Sequence, residues 1–189
     1  MAETDLRTVL KLRKSVVLVG MMGAGKTAVG RALAQMLHVP FLDSDAEIET
    51  AASMSIAEIF ARDGERFFRR RESEVIARLL AGRPAILSTG GGAFLQERNR
   101  AMISDKGVSV WIDAGLDLLW QRVRHKNTRP LLRTSDPRQT LTELYEARVP
   151  IYRLADLSVR SEPQFSIEDT ARAVLETLRS RDDVLEANP

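Results

Sequence analysis

Cysteine is missing altogether. That excludes disulfides, zinc–thiolate centres, iron–sulfur clusters and thiol nucleophiles. Histidine is nearly as scarce, with His38 and His125 alone. A multi-histidine metal site is therefore not expected, and an essential metal should be a hard ion bound by oxygen. Aromatic residues make up only 5%, little material for a base-stacking pocket. No apolar run reaches the roughly 18 residues of a membrane helix, and no membrane partner is expected. The stretch from Met1 to Ser15 carries charges of both signs and no apolar centre, unlike a secretory signal; the expected address is the cytoplasm. Internal repeats, low-complexity tracts and Pro/Gly/Ser linkers are also lacking.

What remains is an ordinary soluble composition, 44% apolar and 29% charged over 189 residues. It excludes global disorder and fibrous repeats and suits one domain with a continuous core. The net charge is +2 and the isoelectric point about 9.2. The cations are skewed, 23 arginines to five lysines. Arginine favours forked recognition of carboxylate and phosphate, although a solvated surface would look the same. The near-balanced charge and the lack of any RNA- or DNA-binding signature argue against a nucleic-acid partner.

Strand and helix signals alternate along the chain. Val16–Val19 is a short apolar run closed by glycine, suited to a buried parallel strand. Val29, Leu33, Met36 and Leu37 mark one face of a helix ending near His38. Pro40–Leu42 suggests a brief strand. Ser55 and Glu58 form a capping box on a helix through Phe60, and a second helix is expected from Glu65 to Leu80. Pro84–Ser88 reads as a strand, Gln96–Lys106 as a polar helix, Val108–Ile112 as a strand and Leu116–Val123 as a helix. A polar, basic stretch from His125 to Arg138 contains Pro130 and Pro137. Helix returns over Thr140–Tyr152, strand over Leu157–Val159, and helix over Ser166–Leu178. Such alternation implies an α/β fold with a parallel sheet covered on both faces. Residues 1–13 are read as an N-terminal extension, 14–180 as the domain and 181–189 as a loose C-terminal tail.

Gly20-Met21-Met22-Gly23-Ala24-Gly25-Lys26-Thr27 matches G-x-x-x-x-G-K-[ST], directly after a strand and before a helix, the context that confirms a phosphate loop. Glycines let successive N–H groups converge on phosphate oxygens, and the helix N-terminus adds partial positive charge. Lys26 is expected to reach the β- and γ-phosphates, and the Thr27 hydroxyl to ligate Mg²⁺. The motif points to ATP without saying what is done with it.

Asp43 and Asp45 follow the Phe41-Leu42 strand. Side chains two apart in an extended segment share a side, so both carboxylates can face the strand ends where ligands bind. One could hold Mg²⁺ and the other receive a substrate proton; alternatively, one of them only caps the helix holding Glu47 and Ile48. On the next helix Phe68, Glu72, Val75 and Leu79 fall on one face, which puts a carboxylate among apolar residues. Such a group needs a cation, and Arg69 lies three residues away, within reach. Arg69 is then free to grip an anion, while Arg70 and Arg71 are read as solvated. Gly90-Gly91-Gly92 permits either a close approach to ligand or a simple turn. The segment of about 125–138 is long for a compact domain and reads as a lid or as a disordered surface loop; as a lid it would let Arg129 reach the transferring phosphoryl group, with Leu131 and Leu132 docking it.

These residues together resemble the shikimate kinase family. The shared set is the phosphate loop, Asp43-x-Asp45, Gly64-Glu65-x-x-Phe68-Arg69-x-x-Glu72, the triple glycine, Arg129-Pro130-Leu131-Leu132 and Arg148-x-x-x-Tyr152, over roughly residues 14–178. The resemblance implies a three-layer α/β/α P-loop kinase fold with a five-stranded parallel sheet in order 2-3-1-4-5. It implies transfer of the ATP γ-phosphoryl group to the 3-hydroxyl of shikimate, a step toward chorismate and the aromatic amino acids. A monomer is expected, although the sequence does not itself give the oligomeric state. By that pattern Asp45, Arg69, Gly91 and Arg148 would contact shikimate. Gly23, Ala24, Gly25, Lys26, Thr27, Ala28, Arg122, Arg129 and Pro163 would serve ATP, with Arg122 and the segment around Pro163 near adenine. Thr27 and Asp43 would serve Mg²⁺, and Lys26, Asp45 and Arg129 would carry the chemistry. One departure is Ala28, where the family often has a threonine that helps to hold the α-phosphate. The rival readings are a gluconate or nucleoside monophosphate kinase, for which paired Arg69 and Arg148 are not the expected acceptor groups, and a non-catalytic nucleotide switch, which has no need of Asp45.

Overall fold

The computed structural model describes residues 9–126 and 130–188. In chain order the elements are β1 (Val9–Leu12), β2 (Ser15–Val19), α1 (Lys26–Leu37), β3 (Phe41–Asp43), α2 (Ser44–Ala52), α3 (Ile56–Ala81), β4 (Ile86–Ser88), α4 (Glu97–Lys106), β5 (Gly107–Ala114), α5 (Leu116–Val123), α6 (Pro137–Tyr152), β6 (Leu157–Ser161), α7 (Ile167–Leu178) and β7 (Leu185–Asn188). Strands β3-β4-β2-β5-β6 form one sheet, and every pairing in it is parallel. Counting only that sheet's strands in chain order, the arrangement is the expected 2-3-1-4-5. Its central strands are apolar on both faces, with Val16, Val17, Leu18, Ile86, Leu87, Val108 and Val110 wholly buried. That is what helices on both faces require. Among the described residues, no helix is long and apolar enough to cross a membrane.

The parallel register brings the C-terminal ends of β2, β3 and β4 to one edge. The phosphate loop leaves β2, Asp43 ends β3 and Ser88 ends β4. Three chemistry-bearing segments far apart in sequence therefore meet where open α/β sheets bind ligands.

Helix α3 covers both helices expected from sequence. Gly64 breaks it at φ 81°, ψ 172°, a conformation open essentially only to glycine. Its start carries the expected capping box, with Ser55 N–H donating to Glu58 Oε2 at 2.7 Å and Glu58 N–H to Ser55 Oγ at 3.2 Å. Around the expected lid, Pro130–Leu132 form a 3₁₀ turn and α6 begins at Pro137, capped by Asp136. Helix thus starts three residues before Thr140, because proline is well suited to a first helical position. Leu132 is buried as expected, but Leu131 is 52% exposed and does not dock.

Residues 185–188 are not a loose tail, and they pair with the described end of the N-terminal extension, whose residues 1–8 lie outside the described residues. β1 and β7 pair antiparallel from Leu12↔Leu185 to Val9↔Asn188. Arg13 N–H donates to the Val184 carbonyl at 2.7 Å, Arg13 pairs with Glu186, and Lys14 pairs with Asp183 at 2.9 Å. Leu12, Val184 and Leu185 are buried. Hydrogen bonds from Arg181 and Lys14 hold the Asp183 carboxyl well below the usual carboxylate range.

Candidate active site

The phosphate loop enters α1 through Gly25, the N-cap, at φ 91°. A side chain there would be strained. Lys26 is drawn over the loop, its Nζ donating to the carbonyls of Gly20 at 2.7 Å and Met21 at 2.9 Å. Arg122 buttresses the loop from α5, with Nη1 3.2 Å from the Gly23 carbonyl and 3.3 Å from that of Ala24; burial lowers its pKa. A cleft of about 510 Å³ runs over Gly23–Ala28, past Arg122, to Phe165, Ile167 and Thr170 at the start of α7. That volume suits a nucleotide-sized ligand. Pro163 is exposed in the turn before α7 and does not line the cleft. The apolar edge there comes from Phe165 and Ile167 instead. Ala28 lines the cleft with a backbone N–H and no hydroxyl.

Asp43 caps α2 with one oxygen and leaves the other facing the phosphate loop. Its Oδ1 caps α2, accepting from the N–H of Asp45 at 3.0 Å and of Ala46 at 3.2 Å. Its Oδ2 lies 3.4 Å from Thr27 Oγ1, which is 3.3 Å from Ser88 Oγ. One carboxylate and two hydroxyls are hard donors that fit Mg²⁺, an ion usually held by one or two carboxylates plus substrate phosphates. Among the described residues no cluster of three His, Cys, Asp or Glu competes for a metal. Ser88 was not singled out from sequence; its one signal is that it ends the strand running into the triple glycine.

A second cavity of about 280 Å³ adjoins the cleft and shares Met22, Asp45, Gly90 and Gly91 with it. Asp45 therefore stands at the junction. Its Oδ1 is buried without a hydrogen-bond partner. Burial, with Asp43 adding repulsion, pushes its pKa up to about 6 against the opposing pull of Lys26 and Arg69. Gly90 leaves room for it, since a Cβ there would lie 2.9 Å from both carboxylate oxygens and displace them. Gly92 is in the same position toward the Arg69 guanidinium.

Arg69 and Arg148 line the far side of this cavity with Phe60, Phe68 and Leu131. Arg69 Nη1 donates to Glu72 Oε1 at 2.9 Å and Oε2 at 3.2 Å. Glu72 is 1% exposed; burial raises its pKa and the Arg69 charge opposes that rise. The pairing read from helical spacing is thus present. Tyr152, wholly buried, donates from Oη to the Gly91 carbonyl at 2.6 Å. It stacks on Trp111 with ring centroids 6.4 Å apart and hydrogen-bonds Arg148, while burial raises its own pKa. Sequence reading placed Tyr152 in a motif but gave it no task. Arg129 lies outside the described residues.

A phosphate loop, a hard-oxygen cluster and a small arginine-lined cavity joined by one buried carboxylate define the class: a P-loop kinase acting on a small anionic acceptor. Comparison with known proteins makes it particular. The family model described as shikimate kinase matches residues 22–179. A shikimate kinase of Ruegeria pomeroyi is 70% identical, over 93% of this chain and 90% of the relative; one of Cereibacter sphaeroides is 62% identical, over 98% and 93%. The solved shikimate kinase of Acinetobacter baumannii in complex with shikimate aligns with a TM-score of 0.82 at 39% identity, covering 88% of this chain and 93% of that one. The chain belongs to the shikimate kinase family.

Proposed function

We infer that the chain transfers the γ-phosphoryl group of ATP to the 3-hydroxyl of shikimate, giving shikimate 3-phosphate and ADP. The observation that carries this reading is the position of Asp45, whose carboxylate lines both cavities and has a buried oxygen with no donor. A hydroxyl entering from the acceptor side supplies that donor. With its pKa raised to about 6, Asp45 remains mostly ionised at neutral pH and is a stronger proton acceptor than an ordinary aspartate. It orients the hydroxyl toward the phosphate loop and takes its proton as the bond to phosphorus forms.

Arg69 and Arg148 hold the shikimate carboxylate by charge-assisted hydrogen bonds, with Gly91 backbone against the ring. Glu72 fixes Arg69, and Tyr152 fixes Arg148 together with the Gly91 carbonyl. The N–H groups of Gly23–Ala28 cradle the phosphates, and Lys26 exchanges its loop carbonyls for β- and γ-phosphate oxygens. Arg122 supports the loop beneath the nucleotide, and Phe165 and Ile167 replace Pro163 as the adenine-facing residues. Thr27 and Asp43, with Ser88 adjacent, would hold Mg²⁺, which when bound neutralises phosphate charge. Pro130 and Leu131 line the acceptor cavity, which supports a cover there; from sequence, Arg129 is assigned to the transferring phosphoryl oxygens. Positioning and charge stabilisation are the main sources of rate in such reactions. The reading is of a cytoplasmic monomer that needs neither nucleic acid nor membrane.

Coupled ADP release measured with shikimate, gluconate and nucleoside monophosphates tests the reading. Turnover with shikimate alone is expected. ADP release indifferent to shikimate, or faster with gluconate, would sink it.

A further inference from the structure

The arginine-rich composition leaves one cluster that neither the phosphates nor the acceptor uses. Arg66 and Arg70 sit one turn apart on α3, and Arg98 faces them from the first turn of α4. With Arg69, Ser73 and Gln96 they line a separate depression of about 270 Å³. Its wall holds four arginines and no carboxylate. Elsewhere on the surface arginines are commonly neutralised, as in Arg71–Glu74 at 2.7 Å, Arg78–Glu47 at 3.1 Å and Arg160–Asp113 at 3.1 Å. Among the described residues, Arg66, Arg70 and Arg98 have no carboxylate within ion-pair distance. All three are exposed. Arg66, Arg70 and Arg98 are three like charges without ion-pair partners beside Arg69, which is itself paired with Glu72 and Glu65; the three repel one another, and an oxyanion entering the depression relieves that repulsion.

The depression borders the acceptor cavity. Arg69 lines both. Ser73, also in the lining, is tied back to the Arg69 carbonyl at 3.1 Å, so the floor is anchored to the same turn of α3.

We propose that Arg66, Arg70 and Arg98 form an oxyanion vestibule that captures the carboxylate of the acceptor and passes it to Arg69. The proposal rests on the acceptor assignment above and adds a route of entry. The attraction is long-range and screened by salt, because the Debye length shrinks from about 10 Å at 0.1 M to about 3 Å at 1 M. A patch of one sign can raise the encounter rate of an oppositely charged ligand by about tenfold or more.

The test is the full chain carrying Arg66→Gln, Arg70→Gln and Arg98→Gln together. At low ionic strength, kcat/KM for shikimate should fall about tenfold, with kcat and the KM for ATP unchanged. At 1 M salt the variant and the parent should converge. A neutral methyl ester of shikimate, if turned over, should show neither the loss nor the salt dependence. Calorimetric titration with sulfate, after a non-hydrolysable ATP analogue has filled the phosphate loop, should show weaker binding to the variant than to the parent. Weaker sulfate binding to the variant with kcat/KM for shikimate unchanged would mean a site for free phosphate-like anions and would overturn the entry role. Equal kcat/KM at low salt would also overturn it, as would a loss that persists at 1 M. If the parent itself did not turn over shikimate, the acceptor assignment would fail instead, and the sulfate arm alone would decide whether the anion site exists.

Discussion

Asp45→Asn should cost activity and add stability at the same time. A carboxyl raised from 3.8 to about 6 binds its proton in the native state where the unfolded chain has already released it. Between those two values stability falls as pH rises. The penalty is complete above about pH 6 and absent below about pH 4. The shift is close to two pH units, and at 1.36 kcal/mol per unit it amounts to roughly 3 kcal/mol at pH 7. The asparagine amide, placed against Gly90 and near Lys26 and Arg69, will offset part of that, so a gain of about 2 kcal/mol is expected. For a chain of this size this is a rise of roughly 4–8 °C in Tm. The assay is thermal unfolding of ligand-free parent and variant from pH 4 to pH 8, beside ADP release at each pH. The parent's turnover should fall as pH drops below about 6, and the variant's should be nearly absent throughout while Mg·ATP still binds. An asparagine variant no more stable than the parent at pH 7, or a difference that does not shrink between pH 6 and pH 4, would refute the claim that burial of an ionised Asp45 is a cost borne for catalysis.

Arg148→Ala should weaken shikimate binding by about 10- to 150-fold, the 1.5–3 kcal/mol of a charge-assisted hydrogen bond, leaving ATP affinity and Tm nearly unchanged; equilibrium titration with each ligand checks it. Arg69→Ala should do the same to shikimate and also destabilise the fold by about 3–5 kcal/mol, because Glu72 is left buried and unpaired; restored stability in Arg69→Ala/Glu72→Ala would separate the two effects. Tyr152→Phe should raise the KM for shikimate by several-fold, with kcat, ATP affinity and the unfolding midpoint moving little, since one net hydrogen bond contributes about 1 kcal/mol; a kcat effect without a KM effect would remove its positioning role. Deleting residues 185–189 should lower stability by about 2–3 kcal/mol, mostly the exposure of Leu185 and its partners, with kcat at low temperature retained; an unaltered unfolding curve would show that the terminal ribbon contributes nothing.

The fold was legible because its signals are local and reinforce one another. Val16–Val19 followed by glycines and Lys26-Thr27 specifies a strand, a loop and a helix in a single run. Ser55 with Glu58 fixes where α3 begins, and the spacing of Phe68, Glu72 and Val75 exposes an out-of-place carboxylate whose partner can lie only one helical turn away. Where these local rules ended, so did the reading. Asp43 offered two local fates, capping or ligation; one of its oxygens caps α2 and the other lies beside the Thr27 hydroxyl. Ser88 near Thr27 and Phe165 near the phosphate loop depend on which strands and helices become neighbours, and no periodicity records that. Pro163 was placed in the site by resemblance, yet a turn exposed on the surface puts its successors Phe165 and Ile167 there.

The terminal ribbon shows the same limit from the other end. Neither Val9–Leu12 nor Leu185–Asn188 has the length or alternation to announce a strand, and each is marginal alone. They become strands because β2 and α7 bring the two chain ends to one place, where Val184 and Leu185 can be buried beside Leu12. The triple glycine makes the complementary case. Its sequence is conspicuous, but its meaning lies in the side chains that it admits, Asp45 against Gly90 and Arg69 against Gly92. Those two groups carry opposite charge beside one loop, and in the proposed reaction Asp45 serves the hydroxyl and Arg69 the carboxylate of the acceptor. An alanine at either glycine would displace a single one of them. Gly90→Ala should therefore act chiefly on turnover through Asp45, and Gly92→Ala chiefly on acceptor affinity through Arg69.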